Sequence, residues 1–224
     1  MTDLAQLKAT LAGLSEQERR KALSAFSAAE LERLSFTWEL FARPDQLPPP
    51  GDWRCWLLLG GRGSGKTRTA SEYIRSEVES GRHSRIALIS PTAETLRRDS
   101  VEGPSGILAV SPPWCRPNYE PSTRRIVWPN GAHATLLSCE EPDRARRINT
   151  SLVWLDELCA APLASQMMDM IQMALRLSGP LGDSARMICS TTPRPLPVLK
   201  KLIADPGTVV TRSKTIDNAS NLDS

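Results

Sequence analysis

Eight consecutive residues in this chain have the types and the spacing of a loop that binds phosphate. The run GGRGSGKT fits the pattern G-x-x-x-x-G-K-[ST] at every fixed position. In such a loop the glycines let backbone N–H groups surround phosphate oxygens, and the start of the following helix adds a partial positive charge. The predicted nucleotide-binding residues are Gly60, Gly61, Arg62, Gly63, Ser64, Gly65, Lys66 and Thr67.

Two residues of this loop would contact the triphosphate and its metal ion. Lys66 would reach the β- and γ-phosphates of ATP, and the hydroxyl of Thr67 would ligate Mg²⁺. The alternative is a glycine turn that fits the pattern by chance. The flanking residues favour the phosphate loop, because an apolar run at 55–59 predicts a buried strand before it and helical spacing at 68–80 predicts a helix after it.

A pair of acids follows a second apolar run, LVWL at 152–155. An acid at the end of such a strand holds the Mg²⁺ shell in nucleotide hydrolases, so Asp156 is a predicted metal ligand. Glu157 lies where a carboxylate could orient and deprotonate an attacking water, which indicates hydrolysis rather than transfer. The alternative is that the acids only cap a helix. The presence of the phosphate loop in the same chain favours the catalytic interpretation.

A further strand ends in the hydroxyl-rich run Ser190-Thr191-Thr192-Pro193. Hydroxyl groups at the end of a strand beside the catalytic acid could sense whether a γ-phosphate is present. A plain Thr-Pro strand terminator is the other interpretation of this segment.

The rest of the pattern predicts the elements that must position these residues. Buried strands at 85–90, 151–155 and 185–190 alternate with helices such as the methionine-rich 163–177, whose methionines are expected to pack in the core. Runs at 125–128 and 132–137, joined through Asn130-Gly131, predict a β-hairpin. Alternating strands and helices indicate an α/β fold, a P-loop NTPase with a mostly parallel sheet covered by helices on both faces.

The chain is expected to divide into three parts. Residues 1–43 are predicted to form a helical N-terminal appendage, because Ser15 with Glu18 and Ser27 with Glu30 fit capping boxes. A proline-rich stretch then leads into the nucleotide domain at 44–215. Residues 216–224 are expected to begin a connection to another domain.

The composition is that of an ordinary globular chain, with 40% hydrophobic and 24% charged residues. It has no apolar run long enough to span a bilayer and no signal-peptide pattern, so a cytoplasmic location and no membrane partner are expected. Its five cysteines are widely spaced and are predicted to be reduced thiols. A net charge of +3 alone predicts nothing about nucleic acid. Arginines outnumber lysines, which suits phosphate contacts but also follows from GC-rich codon usage.

Several segments together resemble the large terminase subunit of tailed bacteriophages, the motor that packages DNA into procapsids, and its relative in gene transfer agents. The resemblance covers residues 40–222. It is carried by the run 41–54 leading into the phosphate loop, by EEPDRARR at 140–147 leading into WLDEL at 154–158, and by TTPR at 191–194.

The resemblance implies roles for individual residues. Arg62 matches an arginine that contacts the γ-phosphate region, and Gln46 stands where the family places a glutamine that recognises adenine. Thr191 and Thr192 match the motif that couples hydrolysis to DNA movement. Arg146 stands where relatives have an arginine finger that reaches a neighbouring subunit. Relatives have glycine next, whereas this chain has Arg147, so either arginine could take that role.

The resemblance also implies cofactors and partners. The expected function is Mg²⁺-dependent ATP hydrolysis coupled to translocation of double-stranded DNA. The expected partners are a portal protein on the procapsid, a small terminase subunit, and further copies of the chain in a ring, with a monomer expected in isolation. The family also carries a nuclease domain, and without an acid cluster after Glu157 no nuclease activity is expected here. A helicase-like translocase and a poorly hydrolysing docking module remain alternatives.

Overall fold

The structure is a computed structural model that describes residues 4–221. The chain forms compact units that divide between Leu47 and Pro48, and each unit is described by itself. Within the described residues, every helix is too short or too polar to cross a membrane.

The first unit is helical. Its helices are α1 (Leu4–Gly13), α2 (Glu16–Leu23), α3 (Ala28–Ser35) and α4 (Trp38–Phe41), followed by a 3-10 turn at Pro44–Gln46. The capping boxes predicted at the starts of α2 and α3 are confirmed: each serine hydroxyl accepts from the backbone N–H three residues on, and each glutamate returns a bond to the serine N–H. Lys8 on α1 donates to the carbonyls of Glu39 and Ala42, which ties α1 to the end of α4.

The second unit is built on one sheet of eight strands. The strands are β1 (Cys55–Gly60), β2 (Arg85–Ser90), β3 (Asn118–Glu120), β4 (Arg125–Val127), β5 (His133–Ser138), β6 (Leu152–Leu155), β7 (Arg186–Thr191) and β8 (Thr208–Ser213). Their order is β3-β4-β5-β2-β6-β7-β1-β8, and the antiparallel pairs of this sheet are β3–β4 and β4–β5. The predicted α/β fold with a mostly parallel sheet is confirmed.

Helices cover both faces of the sheet, as predicted. They are α5 (Lys66–Glu79), α6 (Ala93–Thr95), a π-helical turn at Leu96–Val101, α7 (Ile107–Val110), α8 (Ala164–Ala174) and α9 (Pro197–Ala204). Side chains alternate along each strand, so Trp56 and Leu58 on β1 pack with α5 and the π-helical turn, whereas Leu57 packs with α8 and α9 on the other face. The result is two apolar cores on either side of a buried sheet.

The local elements differ from the sequence expectations in places. The β4–β5 hairpin turns through Asn130-Gly131 as predicted, but β3 extends it into a three-stranded antiparallel edge. Helix α8 ends at Ala174 rather than 177, because Leu175 forms a bridge with Thr150 next to β6. Of its methionines, Met167 is buried as expected but Met173 is 45% exposed. All five cysteines are free thiols in this structure, and Cys115 is the one that is only partly buried.

The order of the strands sets the position of the site. Strands β6, β7 and β1 are neighbours and run parallel, with Leu155 beside Cys189 and Leu59 beside Thr191. The segments that follow these three strands therefore meet at the carboxyl end of the sheet. These segments are the predicted phosphate loop, the acid pair and the hydroxyl-rich run.

Candidate active site

The phosphate loop connects β1 to α5. Gly63 and Gly65 have φ angles of 75° and 90°, a left-handed conformation that glycine adopts without steric cost. Gly65 is the residue before the helix, which begins at Lys66. The first N–H groups of α5 therefore point out of the helix toward the loop, where the helix dipole favours an anion.

Lys66 connects this loop to the acid pair. Its side chain is 6% exposed, and its Nζ donates to the carbonyls of Gly60 at 3.0 Å and Gly61 at 3.1 Å. The same Nζ lies 3.4 Å from Oε1 of Glu157. The loop lysine and the predicted catalytic acid are thus in direct contact.

Asp156 is buried at the end of β6. Its Oδ1 accepts from the hydroxyl of Ser190 at 2.5 Å, and its Oδ2 accepts from the hydroxyl of Ser100 at 3.2 Å. Burial raises the pKa of Asp156 to about 6, the charge of Glu157 acts in the same direction, and the two serine hydrogen bonds and Lys66 oppose the rise. The two serine hydrogen bonds hold the carboxyl group in one orientation.

Glu157 adopts an unusual backbone conformation for its type, with φ 48° and ψ 49°. A left-handed glutamate is strained, and such strain is concentrated at functional sites. Its side chain is 38% exposed and makes no capping bond to the 3-10 turn Leu158–Ala160 that follows. Instead Oε2 accepts from the backbone N–H of Thr192 at 3.2 Å. The capping alternative for Glu157 therefore has no hydrogen bond to support it.

Thr191 and Thr192, in the hydroxyl-rich run, contact Glu157 and the turn that follows it. The hydroxyl of Thr191 is fully buried, accepts from the N–H of Cys159 at 2.9 Å and lies 3.2 Å from the carbonyl of Thr192. Thr192 reaches Glu157 through its backbone rather than through its hydroxyl. The end of β7 is therefore attached both to Glu157 and to the turn that follows it.

The predicted arginines and Gln46 lie outside this contact set. Arg62 is exposed on the phosphate loop, and Arg146 and Arg147 are exposed on the 3-10 segment Pro142–Arg147. Gln46 belongs to the first unit, where its Oε1 accepts from the N–H of Arg43. Their assigned roles stay predictions.

The donor set suits Mg²⁺ rather than a metal caged by protein. Among residues 4–221, His, Cys, Asp and Glu side chains nowhere gather in a group of three that could hold a metal. Mg²⁺ keeps several waters and is bound by one or two protein oxygens together with substrate phosphates. The hydroxyl of Thr67 at the start of α5 and the carboxylate of Asp156 would be oxygen ligands of that kind.

Four residues of the site were not among the predicted ligands or catalytic groups. Ser100 and Ser190 hold Asp156, while Thr215 and Asn218 donate to the carbonyls of Arg62 and Gly63 on the phosphate loop. Ser190 was visible only as part of the hydroxyl-rich run. The other three lie on the π-helical turn and beyond β8, where no residue pattern indicates contact with the loop or the acids.

The fold and the loop together define a P-loop NTPase. A family model described as "Terminase large subunit, T4likevirus-type, N-terminal" matches residues 57–222. The chain therefore belongs to the terminase large subunit family, as the sequence resemblance predicted.

Solved structures agree on the fold. The ATPase domain of the large terminase of Thermus phage P74-26 is 15% identical, with 76% of this chain and 80% of that chain covered and a TM-score of 0.56. The large terminase from a thermophilic bacteriophage, solved in complex with ATP-γ-S, is 17% identical with a TM-score of 0.61. This chain covers 46% of that one, while 86% of this chain is matched. A search of curated proteins found no match.

Proposed function

We propose that this chain is the ATP-hydrolysing motor domain of a DNA-packaging terminase, coupling Mg-ATP hydrolysis to the movement of double-stranded DNA into a procapsid. Membership of the terminase large subunit family supports the proposal. The observation that carries it is the contact of Glu157 with Lys66 on one side and with Thr192 on the other. The phosphate loop, the acid pair and the hydroxyl-rich run therefore form one connected unit.

ATP is the proposed nucleotide. The large terminase from the thermophilic bacteriophage was solved with ATP-γ-S and with ADP, which supports an adenine nucleotide as the ligand of this fold. The loop from Gly60 to Thr67 would surround the phosphates, and Gln46 would recognise the base. Lys66 would exchange its bonds to the Gly60 and Gly61 carbonyls for bonds to phosphate oxygens.

Mg²⁺ would be held by Thr67 and by Asp156, directly or through its waters, and would neutralise charge on the phosphates. Ser100 and Ser190 would keep the Asp156 carboxylate in one orientation. Glu157 would orient the attacking water and accept its proton. When Lys66 moves to the phosphates, its contact with Oε1 of Glu157 would be lost. Binding of ATP would therefore free the Glu157 carboxylate to act as the general base.

An additional positive charge would speed the reaction by stabilising the transferred phosphoryl group. Arg62 could supply it within the chain, whereas Arg146 or Arg147 could supply it from a neighbouring copy in a ring. Thr191 and Thr192 would couple hydrolysis at the site to DNA movement, because the backbone N–H of Thr192 donates a hydrogen bond to Glu157, the proposed general base. The portal protein, the small terminase subunit and double-stranded DNA are the proposed partners, in the cytoplasm of a bacterial host.

The first test is steady-state ATP hydrolysis by the 224-residue chain, with and without double-stranded DNA. We expect weak, Mg²⁺-dependent turnover that rises more than linearly with protein concentration. The Lys66→Ala variant should lose nucleotide binding and turnover together. A folded parent chain that binds ATP and shows no turnover at any concentration would favour a docking module over a motor. Stimulation by single-stranded DNA alone would favour a helicase-like translocase.

A mixing experiment identifies the source of the additional charge. Arg146→Ala chains, and separately Arg147→Ala chains, are combined with Glu157→Gln chains. One partner then has an intact base and the other an intact arginine, so mixed neighbours should recover turnover if the arginine acts between subunits. Absence of recovery at concentrations where parent chains associate would point to Arg62.

A further inference from the structure

The chain that leaves β8 runs along the outer side of the phosphate loop. Strands β1 and β8 pair in parallel as far as Gly60 beside Ser213, so the segments that follow them start side by side. Thr215 Oγ1 donates to the carbonyl of Arg62 at 2.8 Å, and Asn218 Nδ2 donates to the carbonyl of Gly63 at 2.8 Å. We call residues 214–218 the loop brace.

The brace has its own local structure. The N–H of Lys214 donates to Oδ2 of Asp217 at 2.7 Å, and the N–H of Asp217 donates to the carbonyl of Lys214 at 3.1 Å. These reciprocal bonds close a tight turn from Lys214 to Asp217, at the start of a 3-10 helical segment. Thr215 and Asn218 are therefore presented to the loop from one preformed turn.

The bonded carbonyls matter because of peptide geometry. The carbonyl of Arg62 and the N–H of Gly63 belong to one planar trans unit and point in opposite directions. A loop that binds phosphate must turn its N–H groups toward the anion. The hydrogen bond to the Arg62 carbonyl thus fixes the direction of the Gly63 N–H. The bond from Asn218 fixes the next peptide plane, whose N–H, on Ser64, donates to the carbonyl of Gly61 at 3.3 Å.

Gly61 shows how closely the Thr215 hydroxyl approaches the loop. The phosphate-binding pattern leaves this position open to any residue. A Cβ atom built on Gly61 would lie 2.7 Å from Thr215 Oγ1, closer than such atoms approach. A side chain at Gly61 would therefore displace the Thr215 hydroxyl from its place beside the loop.

We propose that Thr215 and Asn218 are positioning residues that preorganise the phosphate loop for nucleotide. The proposal rests on the proposed function only in that the loop binds a nucleotide. Linkage requires the effect to be reciprocal: if the brace strengthens nucleotide binding, bound nucleotide strengthens the brace. The nucleotide state of the site would then be transmitted to the chain beyond β8.

The test measures binding of ADP to the whole chain by calorimetry. Thr215→Val removes the hydroxyl and nearly keeps the shape, and loss of that bond should weaken binding by about three- to tenfold. Asn218→Ala should weaken it by a similar factor, and Thr215→Ser should restore it to within about twofold of the parent. Thr123→Val is the matched control, because the Thr123 hydroxyl donates to Glu120 next to β3, the strand at the far edge of the sheet from β8.

Hydrogen–deuterium exchange separates positioning from general stability. In nucleotide-free protein, Thr215→Val should speed exchange of the loop amides at 61–67 while the unfolding temperature and the amides of β2 and β6 stay unchanged. In the parent, ADP should slow exchange at 214–218. The proposal is overturned if ADP binding is unchanged in Thr215→Val, or if the loop amides exchange at the parental rate. A parent that does not bind ADP would contradict the proposed function, and the nucleotide-free exchange would still decide whether the brace orders the loop.

Discussion

At the carboxyl end of the sheet the clustered charged side chains come from distant segments of the chain, whereas at the amino end most of them lie close together in sequence. Lys66, Asp156 and Glu157 meet only because β1 and β6 are brought into one sheet. At the amino end, Glu77 accepts two bonds from Arg82 at 2.7 and 3.0 Å and lies 3.5 Å from His83. Arg186, at the start of β7, adds a cation–π contact 4.5 Å from the ring centre of Trp53.

The two clusters differ in how their charged side chains are paired. Glu77 has a bidentate arginine partner within the loop that joins α5 to β2, an arrangement that holds one conformation. Lys66 is bonded mainly to loop carbonyls, and Glu157 is partly exposed and left-handed. The Glu77–Arg82 pair therefore has its partners within one short stretch of chain. On the proposed function, Lys66 and Glu157 would have to exchange partners when a nucleotide binds.

The largest expected effect separates these two glutamates. Glu157→Gln should lower ATP turnover by about 10²-fold or more, as expected for loss of a general base, while ADP affinity and the unfolding temperature stay near parental values. Glu77→Gln should leave turnover per folded molecule unchanged and lower the free energy of unfolding by about 1–3 kcal/mol, because a buried ion pair loses its charge. ATPase rates and chemical denaturation of both variants test the contrast. Turnover at the parental rate in Glu157→Gln would remove the catalytic assignment.

An intermediate effect is expected at Ser190, which serves both stability and the site. Its hydroxyl donates to Asp156 and accepts from the indole N–H of Trp154 at 3.2 Å. Ser190→Ala leaves both buried groups without this partner and should cost about 1–3 kcal/mol of unfolding free energy. It should also raise the Mg²⁺ concentration needed for half-maximal nucleotide binding. Ser35→Ala, a change of the same kind in the helical first unit, is the control. Unchanged Mg²⁺ dependence in a destabilised Ser190→Ala would make the serine purely structural.

The smallest expected effect concerns pH and the amino-end cluster. Burial lowers the pKa of His83, and Arg186 and Arg82 lower it further against the opposing charges of Glu77 and Asp183. The unfolded chain, with a histidine pKa of about 6.5, then binds the proton more readily than the folded one. Stability contributed by neutral His83 is thus present above pH 6.5 and declines as the pH falls below it, by at most about 1.4 kcal/mol per pH unit.

Denaturation of the parent and of His83→Gln between pH 7.5 and pH 5.5 measures this contribution as a difference in slope. His83 and His133 are the only histidines in the sequence, so His133→Gln is the matched control. The pKa of His133 is also lowered by burial, but this side chain is only partly buried and should change the slope less. Equal slopes in the parent and His83→Gln would show that His83 does not titrate differently on folding.

The sequence predicted those elements that have a distinctive local residue pattern. The apolar run before GGRGSGKT, the acids after LVWL and the Asn130-Gly131 turn each combine a strand with a distinctive end, and all were found in place. Strand β8 was not predicted, although Val209 and Val210 favour a strand, because it lies at an edge and its side chains are only partly buried. Helix α9 was likewise missed.

Contacts between remote segments could not be predicted in the same way. Ser100 reaches Asp156 only because the turn after β2 is π-helical, and a π-helical turn has no distinctive residue pattern. Thr215 and Asn218 reach the phosphate loop only because β8 adds to the sheet beside β1. The roles of Arg62, Arg146, Arg147 and Gln46 come from family resemblance and stay predictions.

The position of β1 has a consequence for biosynthesis. This strand lies between β7 and β8, both of which follow it far along the chain. Its apolar residues, Cys55 to Leu59, therefore emerge from the ribosome long before either neighbour exists. At about 5–20 residues per second, the wait from Gly60 to Arg186 is on the order of ten seconds. During that interval β1 is an unpaired hydrophobic strand, and a nascent chain stalled before β7 is expected to aggregate or to bind chaperones, whereas one released after β8 can close its sheet.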